Sequence, residues 1–130
     1  MSAVVLDTHV LHWWSAEPSR VSPRAADVIT AASELVVADI SWLELALLAH
    51  RDRIAVSIPI GSWLERLARM VRSVPISPEI AAAAVTLPAT FPGDPADRLI
   101  FATAAANGWP LVSKDAAFRR LESQPVEVIW

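Results

Sequence analysis

Apolar residues recur along this chain in two alternating rhythms. Short runs of branched side chains, Ala3 to Leu6, Leu35 to Ala38, Val74 to Ile76, Leu111 to Val112 and Val126 to Ile129, read as strands. Most are too short and too uniformly apolar to keep one face in water, so both faces are expected to be covered. Between them the spacing is helical and the start signals are local. Ser22-Pro23 and Ser77-Pro78 each set a hydroxyl N-cap before a proline at the first helical position, where the missing N–H is no loss. The segment from Pro95 ends at Asn107-Gly108, a pair suited to a left-handed C-cap. Strands alternating with helices imply an α/β fold with a short, mostly parallel central sheet flanked by helices. With no internal repeat and no linker, a single domain over residues 1–130 is expected, and Leu87 to Pro95 is its most loop-like stretch.

In such sheets ligands bind beyond the carboxyl ends of the strands. Asp7-Thr8 follows the first strand directly, and Ser113-Lys114-Asp115 follows the Leu111 to Val112 strand. Each acid also has an ordinary local role. Asp7 suits the N-cap of a helix containing Val10, Leu11, Trp13 and Trp14, and Asp115 suits the cap of a helix from Ala116 to Leu121. Glu44 closes Ser41-Trp42-Leu43-Glu44, a capping-box pattern. The same segment continues Leu45 to Ala49, apolar around most of its circumference, so the helix is expected to be largely buried and its carboxylate to need a partner. Asp94 reads as an N-cap and Asp97 as an acid at the third helical position.

Taken together the acids point to chemistry. Asp7, Glu44, Asp97 and Asp115 leave strand ends or helix starts that a doubly wound sheet brings to one edge. Converging carboxylates cannot all stay ionised without cations. Mg²⁺ or Mn²⁺, which prefer carboxylate oxygen and water, supply the compensation, and hydrolysis of a phosphate ester is the chemistry such a site performs.

Composition narrows this reading. A net charge of −3 over 130 residues excludes a broad basic surface for nucleic acid, but not a site whose acids are neutralised locally by metal. The absence of cysteine removes thiol chemistry and cysteine zinc sites. With 54% hydrophobic residues the chain has ample material for a core, yet no apolar run reaches the roughly 20 residues of a membrane span. The opening residues lack a basic leader, and a cytoplasmic protein is the expectation.

At this point VVLDTHVLHWW, SWLELALL, LPATFPGDPADRLIFATAAANG, LVSKDAAF and VEVIW together resemble the PIN-domain nucleases, and more closely the VapC-type toxins of bacterial toxin–antitoxin pairs. The resemblance covers essentially the whole chain, and is loose only over Arg51 to Val71. It implies a PIN-like three-layer fold in which Asp7, Glu44, Asp97 and Asp115 hold Mg²⁺ or Mn²⁺ and RNA is the substrate. Thr8 and Ser113 match hydroxyl positions that orient the site. The resemblance also implies a homodimer and a cognate VapB-type antitoxin that occludes the active site. Two departures bear on substrate recognition: Phe91-Pro92-Gly93 stands where many relatives carry histidine, and Ala96 replaces a common aromatic.

His9 and His12, three apart, could share a helical face, with His9 placed to touch substrate or a ligating acid. Arg66, Arg69 and Arg72 recur every third residue and form a candidate row for RNA phosphates or an acidic antitoxin tail, against the commoner alternative of a solvated face. Trp13, Trp14 and Trp42 sit in apolar segments and read as core or dimer surface. Two other functions remain open at this stage. One is a Mg²⁺-dependent phosphatase with Asp7 as nucleophile, although His9 stands where its second aspartate would be. The other is a catalytically silent module that binds RNA or antitoxin.

Overall fold

The structure is a computed structural model that describes residues 3–119 and 126–130. Five strands, β1 (Val4–Leu6), β2 (Leu35–Ala38), β3 (Arg72–Val74), β4 (Leu111–Val112) and β5 (Val128–Ile129), form one sheet in the order β3-β2-β1-β4-β5. All four pairings are parallel. The helices are α1 (Thr8–Ala16), α2 (Pro23–Ala31), α3 (Ile40–His50), α4 (Ile60–Ala68), α5 (Pro78–Val85), α6 (Pro95–Asn107) and α7 (Ala116–Arg119), with a 3₁₀ turn at Pro18–Arg20. The predicted Ala116 to Leu121 helix is seen as far as Arg119, and Leu121 lies outside the described residues.

Successive strand residues point to opposite faces, and the chain uses both. Val4 and Leu6 of β1, Val37 of β2 and Val112 of β4 pack with Val10 and Leu11 of α1, Ala25 and Ile29 of α2, Leu45 of α3 and Leu67 of α4. Val5, Val36, Ala38 and Leu111 face the other way, onto Ile100, Phe101 and Ala104 of α6 and onto Phe91 and Phe118. The sheet is thus the middle of three layers, as uniformly apolar strands require. A smaller cluster, Ile80, Ala84 and Ala102, ties α5 to α6.

The caps form where the sequence places them. Ser22 and Ser77 accept from the amides of Ala25 and Ile80, each at 3.1 Å, and Gly108 ends α6 with φ 66°. Other expectations are corrected. β3 begins at Arg72 and stops at Val74, because Pro75 has no N–H to continue the ladder, and an edge strand can expose Arg72 and Ser73. Helix α3 is not largely buried: only Ser41 and Leu45 are, while Leu43 is 56% and Leu47 36% exposed. Ser41 lies inside α3, after the N-cap Asp39, so the capping box with Glu44 does not form.

Arg98 holds the loop that leads into α6. Its guanidinium donates to the carbonyls of Ala84, Leu87, Pro88, Phe91 and Pro92 at 3.0 to 3.4 Å. It also lies 5.6 Å from the Phe91 ring, which packs on Phe101 and Phe118 at 5.4 and 5.7 Å. A proline-rich loop has few amides to satisfy its own carbonyls, so one planar fork with five N–H groups does the work. Arg98→Met, which keeps the stem and removes the donors, is expected to destabilise the protein by about 2–3 kcal/mol in urea unfolding, since the carbonyls lose charged partners. A change below about 0.5 kcal/mol would mean that water replaces Arg98 without loss.

Candidate active site

The strand order reverses direction at the boundary between β1 and β4, the switch point where α/β sheets leave a crevice. Asp7 occupies it. Its amide donates to Val112 O at 3.0 Å, extending the ladder by one residue. Its carboxylate then accepts from the Thr8 amide at 2.8 Å through Oδ1 and from the Ser113 hydroxyl at 2.7 Å through Oδ2. Ser113, fully buried, accepts in turn from the Asp115 amide at 3.0 Å. The residues that end β1 and β4 are thereby tied side chain to side chain.

Thr8 makes the second tie. Its hydroxyl donates to Glu44 Oε1 of α3 and lies 2.9 Å from Ser41 Oγ. A hydroxyl has one proton, so with that proton on Glu44 the Ser41 hydroxyl must donate to Thr8. Ser41 and Glu44, the residues expected to cap α3, instead fasten it to the start of α1. Asp94 caps α6 by accepting from the Ala96 amide at 3.0 Å, and Asp115 caps α7 by accepting from the Ala117 amide at 2.9 Å.

Asp7, Glu44, Asp97 and Asp115 all line one cleft of about 530 Å³, together with Asp94, His9, Val10, Trp13, Arg20 and Lys114. The four acids picked from sequence are therefore brought together, and Asp94 joins them although its spacing indicated only a cap. Burial is the main force on their protonation. It raises the pKa of Asp7, against the hydrogen bonds from Ser113 and Thr8, and raises that of Glu44, helped by the nearby charges of Asp7 and Asp94. Asp97, on the first turn of α6, is pushed up to about 7 by burial and then by the charges of Asp7, Asp94, Glu44 and Asp115.

This is an anionic site lacking cations of its own in proportion. Among the described residues, no three carboxylates or imidazoles group closely enough to hold a metal ion jointly. An ion such as Mg²⁺ does not need three, because it keeps several waters and takes one or two carboxylates directly. The hard oxygen donors and their unbalanced charge fit a hydrated divalent cation.

The remaining candidates divide. His9 is exposed on the wall of the cleft, its ring 5.7 Å from Trp13. His12 is buried, with Nε2 3.2 Å from Glu17 and Nδ1 without a hydrogen-bond partner among the described residues. The arginine row is not a helical row: α4 ends at Ala68, so Arg69 follows the helix and Arg72 belongs to β3, paired with Glu34 at 2.9 Å. None of the three arginines lines the acidic cleft. Arg20 and Lys114, which do, were not among the predicted site residues: Arg20 lies in none of the quoted motifs, and Lys114 lies within LVSKDAAF, between Ser113 and Asp115.

Comparison with known proteins places the fold. Residues 4–123 match the PIN domain family, and the chain belongs to it. It is 54% identical over 130 residues to Ribonuclease VapC22 of Mycobacterium tuberculosis, covering all of both chains. Among solved structures it resembles VapBC2 from Rickettsia felis bound to a promoter DNA fragment, with TM-score 0.70, 15% identity and full coverage of both chains. VapBC-5 from M. tuberculosis gives TM-score 0.67 at 21% identity, over 97% of this chain and 96% of that one. At these identities the structures speak for the fold.

The raised Asp97 pKa makes stability depend on pH. A carboxyl that binds its proton more tightly folded than unfolded favours the folded state at low pH. That advantage is lost as pH rises from about 4, where the unfolded group titrates, through about 7. Asp97 is half-exposed, so solvent screening reduces the effect to on the order of 1–2 kcal/mol. In chelator, Asp97→Asn is expected to be more stable than wild type at pH 8 and to lose much of this pH dependence, as read by thermal unfolding between pH 5 and 8. Equal slopes for the two proteins would contradict the charge assignment.

Proposed function

We propose that this chain is a PIN-domain endoribonuclease toxin that hydrolyses phosphodiester bonds of cellular RNA with Mg²⁺ or Mn²⁺. On this reading one PIN domain spans residues 1–130, works as a homodimer and is held inactive by a cognate VapB-type antitoxin. The observation that carries it is the cleft at the β1/β4 switch point, where five carboxylates converge and Asp97 is driven up to about 7. The full-length relative bearing the name ribonuclease supports the activity, and the toxin–antitoxin complexes among the structural neighbours support the partner. No helix of the described residues is long and apolar enough to cross a membrane.

The proposed division of labour follows the hydrogen bonds. Asp7, Glu44, Asp97 and Asp115 are assigned to the divalent ion. When bound, such an ion polarises the phosphate, makes water a better nucleophile at neutral pH and offsets charge on the leaving oxygen. Ser113 and the Thr8 amide hold both oxygens of Asp7, fixing the carboxylate that the switch point presents. Thr8 and Ser41 set the orientation of Glu44. Asp97 has no hydrogen-bond partner among the described residues, and with its pKa pushed up to about 7 the site takes its full negative charge only as Asp97 gives up its proton. In the reaction a water oxygen bonds to phosphorus, the P–O bond to the neighbouring ribose breaks, and that ribose oxygen leaves with a proton. His9, exposed on the cleft wall, is placed to meet the substrate.

Purified wild type and Asp97→Asn, incubated with total cellular RNA in Mn²⁺, Mg²⁺ or chelator, test this reading. Discrete fragments are expected with metal only, and cleavage by the variant should fall by about a hundredfold or more. A folded, antitoxin-free wild type that leaves RNA intact in either metal would overturn the ribonuclease reading in favour of a silent binding module. Hydrolysis of small phosphomonoesters without action on RNA would favour a phosphatase.

A further inference from the structure

A second cleft of about 730 Å³ adjoins the acidic one and shares His9, Trp13 and Arg20 with it. Its charge is opposite in character. Glu17 is its one acid, 3.2 Å from His12 and 3.8 Å from Arg20, whereas Arg20 and Arg53 are its fixed cations. Arg53 is exposed and makes no ion pair among the described residues.

The cations of both clefts are held in place. The Arg20 guanidinium lies 4.6 Å from the centre of the buried Trp13 ring, and the Lys114 ammonium 5.9 Å from it. An indole face attracts cations, so this ring gathers two of them at the border of a carboxylate site where few others stand. Arg53 is placed by the end of α3. Asp52 adopts the left-handed conformation, φ 55°, and the Arg53 amide reaches back to Leu48 O at 2.8 Å, with the Asp52 amide on Ala49 O at 3.2 Å. That paired closure fixes the backbone after the helix.

We propose that Lys114, Arg20 and Arg53 form the phosphate track by which single-stranded RNA leaves the acidic cleft, running along the Trp13 wall into the second cleft. This rests on the ribonuclease reading above and specifies how the same site takes its substrate. A polyanion entering a cleft of five carboxylates needs cations beside the acids as well as the metal among them. Only this wall, among the described residues of the acidic cleft, carries them. His9, exposed on the shared wall, is an aromatic side chain of the kind on which RNA bases stack. Arg66, Arg69 and Arg72 line neither cleft, and Arg72 is committed to Glu34. The track predicted for that row therefore belongs to another face of the molecule.

The test is equilibrium binding of a short, mixed-sequence single-stranded phosphorothioate RNA, which keeps the backbone charge and resists cutting, to the full chain, by fluorescence anisotropy at a fixed Mg²⁺ concentration over a salt series. Lys114→Gln and Arg53→Gln should each weaken binding about threefold to tenfold and flatten the slope of log K against log salt by about 0.7, the loss of one phosphate contact. Arg53→Lys should retain the slope, and Arg66→Gln should bind as wild type does. Wild-type affinity and slope in both Lys114→Gln and Arg53→Gln would overturn the track, as would an equal loss in Arg66→Gln. Loss of antitoxin binding with RNA binding intact would also overturn it and assign these cations to the protein partner. If wild type cuts RNA while the variants bind normally, the track alone fails; if wild type neither binds nor cuts RNA, the ribonuclease reading fails with it.

Discussion

The contact on which the site depends is the one between Asp7 and Ser113. It joins residues 106 positions apart, each one step beyond its strand, across the junction where the sheet reverses its order. Because β1 and β4 are paired in register, with Leu6 opposite Val112, the two side chains leave the sheet at the same height. One hydroxyl then holds Asp7 and receives the amide that begins the turn to Asp115. From the other oxygen of Asp7 the order passes through the Thr8 amide to α1, and through the Thr8 hydroxyl to Glu44 and α3. Loss of the Ser113 hydroxyl would leave the buried Asp7 carboxylate with an unmet hydrogen bond, a costlier change than loss of a surface contact, and loss of the Thr8 hydroxyl would do the same to the half-buried Glu44.

A cleft held in this way works against the stability of the fold. Burial and mutual repulsion both disfavour the ionised acids, and the nearby cations Arg20 and Lys114 are turned toward the Trp13 ring. The opposing stabilisation comes from elsewhere: from strands buried on both faces, from the Phe91, Phe101 and Phe118 cluster, and from the Arg98 fork that secures the loop before Asp94. Unfavourable charge at one site, carried by a well-packed scaffold, is the usual trade of stability for function.

Much of this was legible in the sequence. Strands with no polar alternation announced a sheet covered on both sides, and the hydroxyl-proline pairs marked the starts of α2 and α5. Asp7 and Asp115 were legible as acids just beyond β1 and β4, and Asp97 as an acid on the first turn of α6. What Glu44 does was not, since Ser41-x-x-Glu44 satisfies a local pattern while the true partner, Thr8, lies on another helix. The placement of the arginine row was not legible for a related reason: a spacing of three means a shared face only while the helix lasts, and α4 stops at Ala68. The edge strand β3 was shifted because it needs hydrogen bonds to β2 more than apolar side chains. Arg20 and Lys114 escaped notice because what unites them is a ring surface, and one-dimensional patterning has no signature for that.

On the proposed function a divalent ion completes the anionic cleft formed by Asp97 and its neighbours, and calorimetric titration of the apo protein with Mn²⁺ reads that completion. In buffers of different ionisation enthalpy at pH 7, the apparent heat should vary linearly with buffer, corresponding to release of about half a proton per ion as the metal displaces the proton on Asp97. The release should fade above pH 8 and shrink in Asp97→Asn. Binding without any dependence on buffer, or no binding at all, would contradict the account.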